Sequence, residues 1–179
     1  MAKIYKSKIP AVSVLNGVFP RIDYQDCYAM DVYRNDIELN DVVRCFFTTA
    51  PAWVVKLMKL RDNLGKMVGL KTNNALEKSS SDPNISSFKP GEKFGLFQIL
   101  ERNENEVIMG TDDKHLNFRV SIFLSDQAPA KKISISTIVV LHNSFGRAYM
   151  KMVTPFHKMV VPGMMNKIYK GLVRLPALQ

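Results

Sequence analysis

The residues best suited to chemistry in this sequence stand in two places, each at one end of a segment with a strand-like pattern. Asp113 and His115 begin the first segment, and His142 and Asn143 end the second. If these segments are antiparallel neighbours, the start of one meets the end of the other, so these side chains converge with Arg147 at one rim of a sheet. Histidine titrates near neutral pH and a nearby carboxylate orients it, so an acid–base site could form there.

The same side chains also have simpler explanations. They could form a polar network that closes the turn between strand and helix, which is the interpretation we favour, or a clamp for an anion or a ligand headgroup. Two histidines and an aspartate could bind a metal, but this spacing occurs often by chance, so no metal site and no cofactor are predicted. His157 lies at the border of an apolar helix face and is predicted to be a hydrogen-bonded edge histidine. No serine stands in a GxSxG elbow, and no catalytic residue is assigned.

The composition predicts a single globular domain over residues 1–179, since 46% of the residues are hydrophobic and 23% are charged. No apolar run approaches the ~18 residues of a membrane span. Pro10 and Ser13 interrupt any signal-peptide core, so we expect a cytoplasmic protein. Cys27 and Cys45 lie in no CxxC motif and are predicted to be buried thiols, not zinc ligands.

The net charge of +9 is unevenly distributed, because no Asp or Glu occurs from residue 127 to 179. That end should carry a positive field, which attracts nucleic acid, anionic lipid or an acidic ligand. The sequence lacks the exposed aromatic residues and the recognition helix that give nucleic-acid binding its specificity, so no specific nucleic-acid partner is predicted. Contact with an anionic surface is expected to be weak, and the oligomeric state is left open.

Hydrophobic periodicity predicts a strand, two short helices, an antiparallel meander and a long terminal helix. The predicted boundaries are an irregular N-terminal arm at 1–23, a strand at 26–33, a helix capped by Asn40 or Asp41, a helix from Pro51 to Gly69, a polar loop at 71–92, strands at 93–101, 105–111, 116–125 and 132–142, and a terminal helix after the turn at 143–146. Thr154 and Pro155 form a good cap and first-turn pair, so the terminal helix could break and restart there.

The terminal helix is amphipathic. Arg147, Lys151 and Lys158 share one face, while the apolar side chains opposite them are expected to cover the sheet. These apolar residues are Tyr149, Met152, Val153, Phe156 and Val160. Insertion of that face into a bilayer would then expose the core, so any membrane contact is expected to be purely electrostatic.

This order of elements is that of the helix-grip fold, in which a curved antiparallel sheet wraps around the terminal helix. The segments APAWVVKLMKLRDNLGKMVGL, IMGTDDKHLNFRVSI and TIVVLHNSFGRAYMKMVTPFHKMVV resemble a mainly bacterial domain-of-unknown-function family within the START-like, birch-pollen-allergen-like (SRPBCC) superfamily. The resemblance covers roughly residues 24–168. The positions that match the family pattern are Trp53, Arg61, Asp62, Gly69, Gly110, Asp113, His115, Arg119, His142, Asn143, Gly146, Arg147, Tyr149, Pro155, Phe156 and His157.

The resemblance implies an α+β helix-grip domain, but it implies no particular reaction, since the superfamily includes lipid carriers, hormone receptors, polyketide cyclases and oxygenase subunits. We expect a small apolar or lipid-like ligand between the sheet and the terminal helix; the alternatives are an enzyme with cyclase- or hydrolase-like chemistry in the same cavity, and a basic surface-binding or scaffold protein. The expected cavity residues are Trp53, Leu57, Leu116, Phe118, Val120, Ile122, Ile133, Ile135, Val139, Met152 and Phe156. The expected polar rim is Asp113, His115, Arg119, His142, Arg147, Tyr149 and His157. Methionine and phenylalanine side chains could instead fill that space.

Overall fold

The computed structural model of this protein describes residues 2–49, 51–52 and 88–175. Its elements are β1 (Ile4–Lys6), β2 (Tyr24–Val32), α1 (Leu39–Thr48), β3 (Lys93–Phe94), β4 (Phe97–Arg102), β5 (Glu106–Asp112), β6 (Leu116–Gln127), β7 (Ala130–Leu141) and α2 (Ser144–Arg174). The predicted helix from Pro51 to Gly69 lies almost entirely outside the described residues, as does the predicted loop as far as residue 87. The cavity candidates Trp53 and Leu57 also lie outside them.

The strands form one curved antiparallel sheet in the order β1-β2-β7-β6-β5-β4-β3. The period-of-two patterns of β6 and β7 are confirmed, because Phe118 pairs with Val139 and Ile122 pairs with Ile135. Paired residues of neighbouring strands point to the same face. The predicted strand at 93–101 is wrong in one respect, because positive φ at Gly95 (63°) turns the chain and divides it into the β3–β4 hairpin.

The concave face of this sheet packs against α1 and the C-terminal half of α2. Helix α1 begins two or three residues earlier than predicted, with Glu38 as its cap, and the backbone N–H of Glu38 donates to the carboxylate of Asp41 at 3.0 Å. The core between these layers includes Tyr28, Met30, Val42, Val43, Val120, Ile122, Leu124, Ile133, Ile135, Val161, Met165, Ile168 and Leu172. Protein side chains therefore fill much of the concave face.

A cluster of phenylalanines closes the side of the concave face next to β3 and β4. Phe47 of α1 is central, since its ring lies 4.9 Å from that of Phe94 and 6.0 Å from that of Phe88. Phe97 extends the cluster to Phe118 of β6, with ring centroids 5.9 Å apart. Aromatic pairs at these separations add to the stabilisation from burial alone.

Helix α2 is continuous over 31 residues with Pro155 and Pro162 inside it, so the break and restart that the sequence allowed at Thr154 and Pro155 does not occur. Thr154 does not cap a new helix; its hydroxyl donates to the carbonyl of Met150 at 2.7 Å. Side-chain hydrogen bonds hold both ends of the helix. The side chain of Asn143 accepts from the N–H of Gly146, and Arg34 donates to the carbonyls of Leu172 and Leu175.

The N-terminal arm is more ordered than predicted. It forms β1 along the outer edge of β2, and its residues 7–23 cross the convex face of the sheet with a short 3-10 turn at Val14–Gly17. Leu15 is fully buried there against Ile108 and Ile138. A second, small hydrophobic core therefore lies on the convex face, opposite α1 and α2.

Candidate functional site

The predicted meeting of the two chemical segments is confirmed at the start of α2. His115 Nδ1 lies 3.0 Å from Asn143 Nδ2, and the backbone N–H of His115 donates to Asp113 at 3.2 Å. Asn143 Oδ1 accepts from the N–H of Gly146 at 2.9 Å, and Asn143 Nδ2 donates to the carbonyl of Lys114 at 3.2 Å. The Phe145 ring packs 4.5 Å from the imidazole. We call Asp113, His115, Asn143 and Gly146 the elbow.

The geometry of the elbow is that of a structural joint. A Cβ atom on Gly146 would lie 2.2 Å from the carbonyl oxygen of His115, so the first turn of α2 is packed directly on the backbone between β5 and β6. His142 contributes through its backbone N–H, which donates to that same oxygen at 2.9 Å, while its side chain is exposed. The arrangement fixes the angle between helix and sheet.

Several side chains predicted for the polar rim lie elsewhere. Arg119 points to the convex face, where it pairs with Asp112 at 2.6 Å and stacks 4.9 Å from the Phe19 ring, so its placement at the rim is wrong. Arg147 is exposed and donates to Ser144 at 3.0 Å, and Tyr149 is half-buried on the same helix. His157 faces the concave side of the sheet at Asp26 of β2, three turns from the elbow.

This second group, made of Tyr24, Asp26 and His157, is the candidate site. Tyr24 donates its hydroxyl hydrogen to Asp26 Oδ2 at 2.7 Å. His157 Nε2 lies 3.3 Å from the same oxygen, close enough for an ion pair when the imidazole is protonated but without the alignment of a hydrogen bond. The Tyr24 and His157 rings meet edge to face with centroids 6.0 Å apart. The titratable side chains of Tyr24, Asp26 and His157 therefore meet at one atom, Asp26 Oδ2.

The electrostatics of this group follow from its burial. The side chains of His157 and Asp26 are 20% and 13% exposed. Burial, with the Asp26 carboxylate as hydrogen-bond acceptor and nearby charge, raises the pKa of Tyr24 far above its ordinary value of 10.0, so Tyr24 stays protonated and acts as a donor. Both contacts reach Asp26 Oδ2, while Oδ1 is buried and has no hydrogen-bond partner among the described residues. The site therefore offers one unused acceptor.

The surroundings of Asp26 on the concave face are apolar except for Thr137, which pairs with Asp26 across the strands and is buried. Tyr24 pairs with Val139 and Val139 pairs with Phe118, so these three side chains line the same face as Asp26. Leu116 continues the row towards the elbow and is only half-buried. Val120, Ile122, Ile133 and Ile135 also share this face, but they pack into the main core.

The helix residues predicted to cover the sheet behave differently from one another. Val160 is buried, whereas Met152 and Phe156 are 51% and 47% exposed. The expectation that Met152 and Phe156 pack on the sheet is therefore wrong, and a role for them in lining a cavity remains a proposal. The C-terminal half of α2 provides the packing that the sequence assigned to its N-terminal half.

Other chemical possibilities find little support among the described residues. No group of three or more His, Cys, Asp or Glu side chains in residues 2–49, 51–52 and 88–175 is placed to hold a metal ion. Cys27 and Cys45 are buried free thiols, and burial raises the pKa of Cys45 to about 11. No helix in the described part of the chain is long and apolar enough to cross a membrane.

Sequence reasoning missed the candidate site for two identifiable reasons. The strand was predicted to begin at residue 26, so Tyr24, between the arm and the strand, was not assigned to a sheet face. The sequence placed His157 at the border of the apolar helix face and in the polar rim with Asp113 and His115, and gave no basis for pairing it with β2. One signal was present, because Tyr24, Asp26 and Tyr28 alternate and so share the face that includes Met30 and Val32. Two tyrosine hydroxyls and a carboxylate at the start of an otherwise apolar strand face could have indicated a site.

Sheet and helix together define an α+β protein whose architecture is compatible with a helix grip. The chain matches the family model described as "Protein of unknown function (DUF2867)" over residues 18–164, and it belongs to that family. Comparison with curated proteins and with solved structures gave no match.

Proposed function

We propose that this protein binds a small, largely apolar molecule bearing a hydroxyl or amine, between the concave face and the N-terminal half of α2. The observation that carries the proposal is the buried Asp26 Oδ1, which lacks a donor. A buried acceptor without a partner costs free energy, about 1–3 kcal/mol and more when charged. A ligand hydroxyl or amine donating to Asp26 Oδ1 would offset that cost.

The apolar part of such a ligand has a matching surface. Leu116, Phe118 and Val139 lie on the same face as Asp26 and are contiguous across β6 and β7. Small-molecule sites are typically apolar with few polar groups, and this surface has that composition. The phenylalanine cluster and the main core occupy the rest of the concave face, so the apolar part of the ligand is expected to lie along Leu116, Phe118 and Val139.

The similarity to the START-like, helix-grip superfamily supports the same conclusion at the level of fold. A sheet that grips a helix leaves space along the helix unless side chains fill it. In this chain, the side chains that fill such space come from the C-terminal half of α2, including Val161, Met165 and Ile168. The N-terminal half of α2 is therefore the favoured location.

A matched ligand series tests the proposal. Dodecanol, dodecylamine and dodecanoate share one chain but differ in whether the headgroup donates a hydrogen bond or carries a negative charge. We expect the alcohol and the amine to raise the melting temperature and the carboxylate to have a much smaller effect, because it would face Asp26. Failure of all three to bind, by thermal shift and native mass spectrometry, would contradict the proposal.

Two variants locate the site. Asp26→Asn keeps the size but removes the charged acceptor, and we expect binding of dodecylamine to weaken by about 10–100-fold, the equivalent of ~1.5–3 kcal/mol. Asp31→Asn is the control, since Asp31 is on the same strand, accepts from Tyr5 at 3.2 Å, and points to the opposite face. Equal loss in both variants would place the ligand elsewhere.

A second function, an enzyme using the same space, is favoured by one specific contact. His157 and Tyr24 both approach Asp26 Oδ2, and a histidine oriented by a carboxylate is a suitable general base. Hydrolysis of p-nitrophenyl butyrate is a simple first assay. Turnover that His157→Gln abolishes while dodecanol still binds would support hydrolase-like chemistry. Equal turnover in the variant would exclude His157 as the base.

A further inference from the structure

The N-terminal half of α2 exposes an apolar stripe to solvent. Met152, Phe156 and Met159 are 51%, 47% and 64% exposed. They are spaced by four and three positions, which places them side by side on one face of the helix. Among the described residues only eight large hydrophobic side chains are exposed, and three of them form this stripe. Such clustering marks an interaction surface more often than isolated exposed residues do.

Cations flank the apolar stripe along the same helix. Lys167, Lys170 and Arg174 are exposed, and at ~100° per residue they fall within about 60° of the midline of the stripe, two to four turns beyond Met159. No acidic residue occurs anywhere from residue 127 to 179. The nearby Asp23 has its own partner, Arg21, at 3.0 Å. This surface is therefore both apolar and positively charged.

We propose that this face of α2 docks on an anionic lipid bilayer. The helix would lie in the plane of the interface, with the three apolar side chains at the boundary of headgroups and acyl chains and the cations against lipid phosphates. Docking would not open the core. The buried residues of α2, such as Val161 and Met165, point away from the stripe and keep their contacts.

Charge argues against a second copy of the chain as the occupant. In a symmetric dimer the same patch meets itself, so the cations beside the stripe would face one another with no carboxylate on either helix to compensate. An anionic bilayer offers acyl chains for the apolar side chains of the stripe and, closer to the water, negatively charged headgroups for the cations. The proposal differs from a purely electrostatic contact, because the apolar side chains add a component that salt does not screen.

Vesicle co-sedimentation with phosphatidylglycerol–phosphatidylcholine mixtures tests the proposal. We expect binding at low salt that weakens but persists at about molar salt, where charges are screened beyond ~3 Å. Replacing the stripe by serine (Met152→Ser, Phe156→Ser, Met159→Ser) should reduce partitioning by about tenfold or more and abolish the salt-resistant part. Replacing Lys167 and Lys170 by glutamine should reduce binding at low salt only.

The control is Val173→Ser, an apolar side chain 51% exposed on the same helix but outside the stripe, which should bind like the parent protein. Circular dichroism checks that each variant is folded. Absence of vesicle binding at low salt would overturn the proposal, as would unchanged partitioning of the serine variant. Light scattering that shows a dimer in the parent and a monomer in the serine variant, without vesicle binding, would assign the stripe to a second copy.

Discussion

Removal of the Glu106 carboxylate should detach the N-terminal arm from the convex face. Glu106 is 1% exposed, and it accepts hydrogen bonds from the Ser13 hydroxyl at 2.5 Å, from the Ser121 hydroxyl and from the backbone N–H of Val14 at 2.8 Å. Glu106→Ala leaves three donors without their acceptor. The two hydroxyls can rotate to other partners, but the Val14 N–H cannot.

The magnitude follows from that count. One unsatisfied donor costs about 1–3 kcal/mol, and partial losses at two hydroxyls bring the expected destabilisation to ~2–4 kcal/mol. At ~2–4 °C per kcal/mol for a chain of this size, the melting temperature should fall by about 5–15 °C. Hydrogen exchange should show the largest loss of protection in residues 8–18.

Glu106→Gln is the size-matched comparison to Glu106→Ala. Its amide oxygen can accept from the Val14 N–H, while its NH₂ group donates to the two serine hydroxyls, which can act as acceptors. We therefore expect it to cost only about 1 kcal/mol. Equal melting of Glu106→Ala and the parent protein would refute the reasoning, as would a glutamine variant that is as damaged as the alanine one.

The remaining predictions concern one edge of the sheet and the elbow. The backbone N–H of Leu141, and to a lesser degree Arg21, hold the pKa of Asp23 below its ordinary value of 3.8. Asp23 therefore contributes its full stabilisation of the fold above pH 3.8. This stabilisation is lost as the pH falls through the lower pKa that Asp23 has in the folded protein. The stability gap between parent and Asp23→Asn in urea should thus be present at neutral pH and narrow progressively as the pH is lowered below 3.8. Gly146→Ala should lower stability by ~1–3 kcal/mol through its clash with the His115 carbonyl, whereas Gly17→Ala, whose Cβ would meet open space, should change it by less than ~0.5 kcal/mol; equal thermal melting of the two would contradict the packing described for the elbow.

The longest strands were predictable from sequence because their patterns are regular. Phe118, Val120 and Ile122 alternate with polar residues, and the sheet face follows from that period of two. The elbow was predictable from topology alone, since antiparallel neighbours must bring residues near 115 and 143 together.

The terminal helix shows where local rules fail. Pro155 lacks a backbone donor, which locally favours a break. The helix continues because its C-terminal half is buried against α1 and the sheet through Ile168 and Leu172, and because Arg34 binds its last carbonyls. Packing energy of that kind depends on residues more than a hundred positions away. Propensity and periodicity within the helix contain no information about it.

The ordered N-terminal arm and the candidate site could not be predicted from the sequence for a related reason. A three-residue strand such as Ile4–Lys6 has no measurable period, and its place is decided by the unpaired edge of β2. The role of Glu106 depends in the same way on Ser13, which is distant in sequence. Tyr24 and His157 are brought together only by the full length of the sheet and helix.

The very short strands at both margins of the sheet have a consequence for solubility. The outermost strands are β1 with three residues and β3 with two, so the nine-residue β2 never presents its backbone groups to another molecule along the stretch that β1 covers. Long, apolar, unpaired strands are templates for intermolecular pairing and aggregation. Loss of the first few residues, by proteolysis or by a shortened expression boundary, would uncover the part of β2 that pairs with β1 and favour pairing between molecules, without altering any residue of the sheet's core.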